Sequence, residues 1–133
     1  MKRITINAML TLALLHLAPL PSFSFNASGK AQAWTWDQQL NAQSESRELG
    51  LQIAPEAINT RLQVKADVQA GQLEWKLRDP HGEVRASGLA SATQINGLAD
   101  SGQLQPLPGQ WKLELKAKKM NGNYHILWVQ QLQ

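Results

Sequence analysis

The chain has 133 residues, 43% of them hydrophobic, with five tryptophans, no cysteine and a formal charge of +3. That length holds one domain, and the missing cysteines exclude disulfides and thiolate chemistry. Lys2 and Arg3 open an N-terminal leader; residues 25–133 carry 11 Lys and Arg against 10 Asp and Glu, too even a balance to hold a polyanion, so nucleic-acid binding is disfavoured.

Residues 1–24 have the layout of a secretory signal peptide: a short positive start, an apolar run dense in leucine, Pro19 and Pro21 to end it, and Ser22-Phe23-Ser24 as small residues around a cleavage point. The dense run is shorter than the ~20 residues that cross a bilayer, and Asn7 and His16 interrupt it. A second small-x-small match, Ala31-Gln32-Ala33, leaves the cleavage point open between Ser24 and Ala33. No cysteine follows for a lipid anchor. The expected location is the bacterial periplasm or the exterior, with no stable membrane anchor once the leader is removed.

Residues 25–33 are small and polar and read as a flexible leader, so the folded domain is expected over residues 34–133. Trp34-Thr35-Trp36 suggests a short strand, and the Gln-, Asn- and Ser-rich stretch 37–45 a loop. In residues 47–53, Leu49, Leu51 and Ile53 alternate with Glu48, Gly50 and Gln52. Residues 60–69 alternate too, with Leu62, Val64, Ala66 and Val68 inward. Ala70-Gly71 can close a tight hairpin onto a strand with Leu73, Trp75 and Leu77 inward. Asp79-Pro80-His81-Gly82 has the residues of a type I turn, and Val84 and Ala86 form the inward pair of the strand after it. Residues 88–109 are the least regular, with Ile95 in a short strand. Trp111, Leu113 and Leu115 oppose Lys112, Glu114 and Lys116, a two-residue period that marks a strand with one buried face. Asn121-Gly122 reads as the next hairpin turn. Tyr124, Ile126 and Trp128 then face one way, and His125, Leu127 and Val129 the other, which makes this last strand central or covered. Seven or eight such strands, with no helical period, predict a single antiparallel β-sandwich of jelly-roll type.

The order of features in Leu73-Glu74-Trp75-Lys76-Leu77 before Asp79-Pro80-His81-Gly82, then Pro108-Gly109-Gln110-Trp111 before Gly122-Asn123-Tyr124, resembles bacterial pre-peptidase C-terminal domains and related jelly-roll accessory domains. The resemblance covers roughly residues 62–129. It implies a secreted β-sandwich that assists or binds and performs no chemistry itself.

Residue patterns for chemistry are sparse. Asp79, His81 and Ser87 could be written as a triad, but no nucleophile elbow frames them, and the turn explains the first two. Asp79, Glu83 and Asp100 are scattered singly, unlike a calcium loop. No catalytic residue, metal site or cofactor is expected. Lys112, Lys116, Lys118 and Lys119 read as a solvated strand face and hairpin tip. Trp75, Trp111 and Trp128 sit in inward rows and are expected in the core. Trp34 and Trp36 either plug one end of the sandwich or, with Gln38 and Gln39, form an exposed platform for a sugar ring. The expected function is therefore a non-enzymatic module binding a protein partner, an open sheet edge being one route to it, with carbohydrate binding through Trp34 and Trp36 as the alternative.

Overall fold

The computed structural model describes residues 22–28, 30–93 and 98–133. They form six strands: β1 (Ser22–Ser28), β2 (Ala31–Ile53), β3 (Ala57–Arg78), β4 (Val84–Ser91), β5 (Leu98–Asp100) and β6 (Gly109–Leu132). All pairings are antiparallel, in the order β1-β2-β6-β3-β4, with β5 also against β3. The alternation of the sequence thus gives the expected all-β fold with β6 at its centre, but from fewer and longer strands.

Three of these strands contain 22 to 24 residues, about 75 Å of straight strand at ~3.3 Å per residue. They are not straight. Trp111 and Trp128 lie on the same strand, about 55 Å apart if it were fully extended, yet their ring centroids are 5.7 Å apart. The strand therefore doubles back between them. Arg47 and Trp36 report the same event in β2, with the guanidinium carbon 5.8 Å from the indole centroid. One sheet is creased across its three long strands and closed on itself as two layers.

The crease is visible in the side-chain parity. In β2 the buried row is Trp34, Trp36, Gln38 and Leu40, then Glu45, Arg47, Leu49, Leu51 and Ile53. Even positions give way to odd ones. β3 switches likewise from Leu62, Val64 and Ala66 to Leu73, Trp75 and Leu77, and β6 switches in the reverse sense from Trp111, Leu113, Leu115 and Ala117 to Tyr124, Ile126 and Trp128. A one-residue slip moves every side chain to the opposite face. A bulge at the bend supplies that slip and lets both halves of each strand present apolar rows to one core. The register breaks fall between Leu40 and Glu45 in β2 and between Val68 and Gln72 in β3. Positive φ angles cluster there, at Ala42 (55°), Gly71 (79°), Lys119 (46°) and Gly122 (145°).

Several sequence expectations are corrected by this geometry. Ala70-Gly71 and Asn121-Gly122 do not close hairpins; their backbone freedom serves the crease inside continuous strands. Residues 37–45 are strand rather than loop, because Gln38 and Leu40 continue the buried row begun by the tryptophans. Residues 25–28 and 31–33, expected within a flexible leader, are strand. Residues 25–28 pair within β1, residues 31–33 begin β2, and the Phe25 ring lies 5.0 Å from that of Trp34. Phe23 and Phe25 carry an alternation that their small neighbours obscure. Val84 is 43% exposed instead of facing inward, since it stands at the start of the edge strand β4. Ile95 and residues 1–21 of the leader lie outside the described residues.

At the end opposite the crease, Gln130 ties the layers together. Its side chain is fully buried; Oε1 accepts the Ala54 amide at 3.1 Å, and Nε2 donates to Gln32 Oε1 at 3.1 Å and to the Gln52 carbonyl at 3.3 Å. Replacing it by leucine keeps the bulk but strands the Ala54 donor. Gln130→Leu is expected to cost about 1–3 kcal/mol, the usual penalty for an unsatisfied buried polar group. Urea unfolding would read this as a lower midpoint with an unchanged slope.

Candidate functional site

Trp34 and Trp36 are each only 4% exposed, with their rings turned between the layers. Gln38 is buried in the same row, and its Nε2 donates to the Gln39 carbonyl at 3.0 Å. Gln39 is exposed on the opposite face. The four residues therefore share no surface, and the exposed indole platform is corrected: strand alternation sends three of them inward and one outward. Trp75, Trp111 and Trp128 are buried as expected, and Trp111 Nε1 donates to the Leu107 carbonyl at 2.8 Å.

Two of the side chains considered for chemistry, Asp79 and Asp100, have other partners. Asp79 is buried in its turn, where Oδ1 accepts the His81 and Glu83 amides at 2.8 and 3.0 Å and Oδ2 accepts Arg85 Nη1 at 3.1 Å. His81 and Ser87 are exposed. Burial works against the Asp79 charge, but the Glu83 and His81 amides and the Arg85 guanidinium outweigh it and hold the carboxyl below its ordinary value of 3.8. A depressed carboxyl contributes stability that is present above the unfolded value and lost as pH falls through the folded one. Acid unfolding is therefore expected to begin below about pH 4, and Asp79→Asn to flatten that limb of the profile, as read by circular dichroism. Asp100 is likewise held low, first by Arg61, then by the Gly102 amide and Gln63. His125 stands on the outer face against Asp37. Among the described residues no three His, Asp or Glu side chains group as a metal site.

The feature that the sequence concealed lies along one long side of the sandwich. β1 pairs with residues 31–37 of β2 and no further. Beyond the crease, residues 45–53 of β2 pair with β6 on one side, and among the described residues no strand pairs with the other. Phe23 and Phe25 stand directly opposite Trp36 and Trp34 in the ladder, hence on the inner face, yet they remain 37% and 42% exposed. Between them and the open edge runs a narrow apolar crevice lined by Phe23, Trp34, Trp36, Leu49, Leu51, Ile126 and Trp128. Outside the crevice Glu48 is exposed and directly opposite Glu114 on β6. Deeper, beside the crease, Glu45 and Arg47 form a buried two-pronged ion pair, with Nε–Oε1 at 2.7 Å and Nη2–Oε2 at 3.2 Å. The Tyr124 phenol is buried beside this charge, and burial, then Glu45, push its ionisation far above the ordinary value. The signal for Arg47 was present: position 47 belongs to the odd row of Leu49, Leu51 and Ile53. Nothing local marks the open edge, because pairing is a property of the whole sheet.

No protein-family model matches the chain, and no curated protein matches it. Solved structures of similar fold include the carbohydrate-binding module TmCBM61 in complex with β-1,4-galactotriose, with 13% identity over 85% of this chain and 88% of that one at a TM-score of 0.44. Aeromonas hydrophila PliG, a periplasmic inhibitor of g-type lysozyme, aligns over 81% of this chain and 92% of its own, with 11% identity and a TM-score of 0.46. A subunit of the disulfide-linked pili that form Bacillus endospore appendages aligns over 84% and 99%, with 11% identity and a TM-score of 0.47. At such identities the likeness concerns the fold alone.

Proposed function

We propose that the chain is a non-enzymatic module, exported to the bacterial periplasm or beyond, that binds a protein partner. The observation that carries this reading is the edge of β2 at residues 46–51, with which no strand pairs among the described residues, flanked by half-exposed Phe23 and Phe25. A free strand edge beside apolar surface is a template for strand addition, a recurring way for a sheet to recruit another chain. Export rests on the leader-like N-terminus, and the accessory role on the resemblance to pre-peptidase C-terminal domains. Carbohydrate recognition through Trp34 and Trp36 loses its support, since stacking on a sugar needs an open indole face and both are covered.

The experiment places a photoreactive residue at position 46 beside the open edge, or at position 65 on the outer face of the other layer. The expected result is one dominant adduct in the cell envelope from position 46, its partner identified by mass spectrometry and its complex rebuilt from purified proteins. A panel of bacterial and plant glycans titrated calorimetrically should give no heat. Saturable glycan binding with no protein adduct from either position would overturn the reading.

A further inference from the structure

We infer that the open side of the sandwich is a notch one strand wide, shaped to receive a single extended segment of a partner protein with apolar residues at alternate positions and a lysine or arginine between them. This rests on the protein-binding reading and specifies its site. The argument is topological. Creasing a sheet across its strands leaves each strand stacked on its own other half, so residues 31–40 of β2 lie over residues 45–53. β1 flanks the first half; among the described residues nothing flanks the second. One layer therefore overhangs the other by one strand, about 4.8 Å. Beneath the overhang point Phe23 and Phe25, half exposed.

An incoming strand paired to residues 46–51 would complete the lower layer and bury both rings with its inward side chains. The same overhang disfavours a second copy in the notch: joining two such edges about a two-fold axis would put β1 of each copy into the space already filled by the first half of β2 in the other. The outer face sets the charge. Glu48 faces Glu114 across the ladder, but Glu114 is already paired with Arg78 Nε at 3.2 Å, which leaves Glu48 as the rim carboxylate with no ion-pair partner among the described residues. A cation on the vacant side of Glu48 supplies one.

The test selects displayed random twelve-residue segments against the protein recovered after export, its N-terminus read by intact mass: cleavage after Ser24 removes Phe23 and leaves Phe25 beneath the overhang, whereas cleavage after Ala33 removes β1 and overturns the notch. Enriched segments are expected to alternate apolar residues and carry Lys or Arg in the other row. Scrambling their order should remove binding, and Phe25→Ser should weaken it. Glu48→Lys should weaken them about fivefold or more, and replacing the cation in the segment by Glu should restore affinity for that variant. Failure to enrich alternating segments, equal binding of scrambled ones, or no charge-swap rescue overturns the notch. So does slow amide exchange at residues 46–51 with no segment added, which would mean that the chain fills the place itself, and so does a dimer broken by Glu48→Lys. A cross-linked partner that survives both Glu48→Lys and Phe25→Ser leaves protein binding standing and removes only the notch; glycan binding without a protein adduct removes the reading beneath it.

Discussion

Gly122→Ala is expected to destabilise the protein by about 4 kcal/mol or more, an unusually large effect for adding one methyl group. Gly122 sits on the central strand where the crease crosses it, at φ 145°. A Cβ there would lie 2.0 Å from the Asp67 carbonyl oxygen and 3.2 Å from the Val68 Cα on β3. Both neighbours are backbone in a paired strand, so neither can turn aside. The methyl group fits only if β3 and β6 separate at the point where the sheet must stay closed to fold over. Backbone strain adds to the steric cost, since a side chain at this φ is itself unfavourable by ~1–3 kcal/mol. Gly71→Ala should behave similarly, because its Cβ would meet the Lys119 carbonyl oxygen at 2.1 Å. Gly82 separates the two contributions: its φ is also positive, at 86°, but nothing lies within 4 Å of its would-be Cβ. Gly82→Ala should cost only the ~1–2 kcal/mol of a left-handed residue. Chemical denaturation of the three variants checks the order. A Gly122→Ala midpoint equal to that of Gly82→Ala would mean that the crease does not pass through Gly122. With total stabilities typically ~5–15 kcal/mol, the first variant removes a large fraction of what holds the fold.

The same glycines show what the sequence could and could not convey. Alternation in residues 47–53, 60–68, 73–77, 111–115 and 124–128 named the buried rows correctly, because a half-buried strand repeats every two residues whatever its neighbours do. It said nothing about whether successive rows belong to one strand or two. Asn-Gly and Ala-Gly are the chemistry of positive φ, and positive φ serves a hairpin turn and a bulge alike. The distinction rests on Ala42 and Lys119, which take up φ of 55° and 46° at the same crease and carry no local signal that they do so. The place of Trp34 and Trp36 was undecided for a related reason. Their burial depends on Phe23 and Phe25 from a neighbouring strand and on Leu49 and Leu51 from across the crease, contacts that no window along the chain contains. The open edge was legible least of all, since an unpaired strand and a paired one have the same alternation.

Arg47→Met should cost about 3–5 kcal/mol, while Glu45→Leu combined with Arg47→Met should recover most of that loss. The pair lies two residues apart on one strand, with both side chains inside the sandwich and only 1% and 3% exposed. Buried, it is held by two hydrogen bonds and by the face of Trp36. Methionine matches much of the volume of arginine but leaves the Glu45 carboxylate without its counter-charge beside the buried Tyr124. Removing one partner of a buried ion pair is strongly destabilising, because the remaining charge keeps its desolvation cost and loses its compensation. Removing both exchanges a compensated polar pair for apolar contact, and such replacements are often neutral or stabilising. The double-mutant cycle therefore reads the coupling directly: an interaction energy near zero would show that the two charges are solvated independently and that the sandwich is open to water at the crease. A large coupling with a well-folded double variant would mean instead that the pair is dispensable for stability. Arg47 and Glu45 share one face in either register, so a slip of one residue would carry both into water together with Leu49, Leu51 and Ile53, and put Ser46 in the core. It is the apolar row that holds the register, since exposing the ion pair alone would relieve its desolvation cost. A double variant with Leu and Met in that row should therefore show exchange at residues 46–51 no faster than the parent protein.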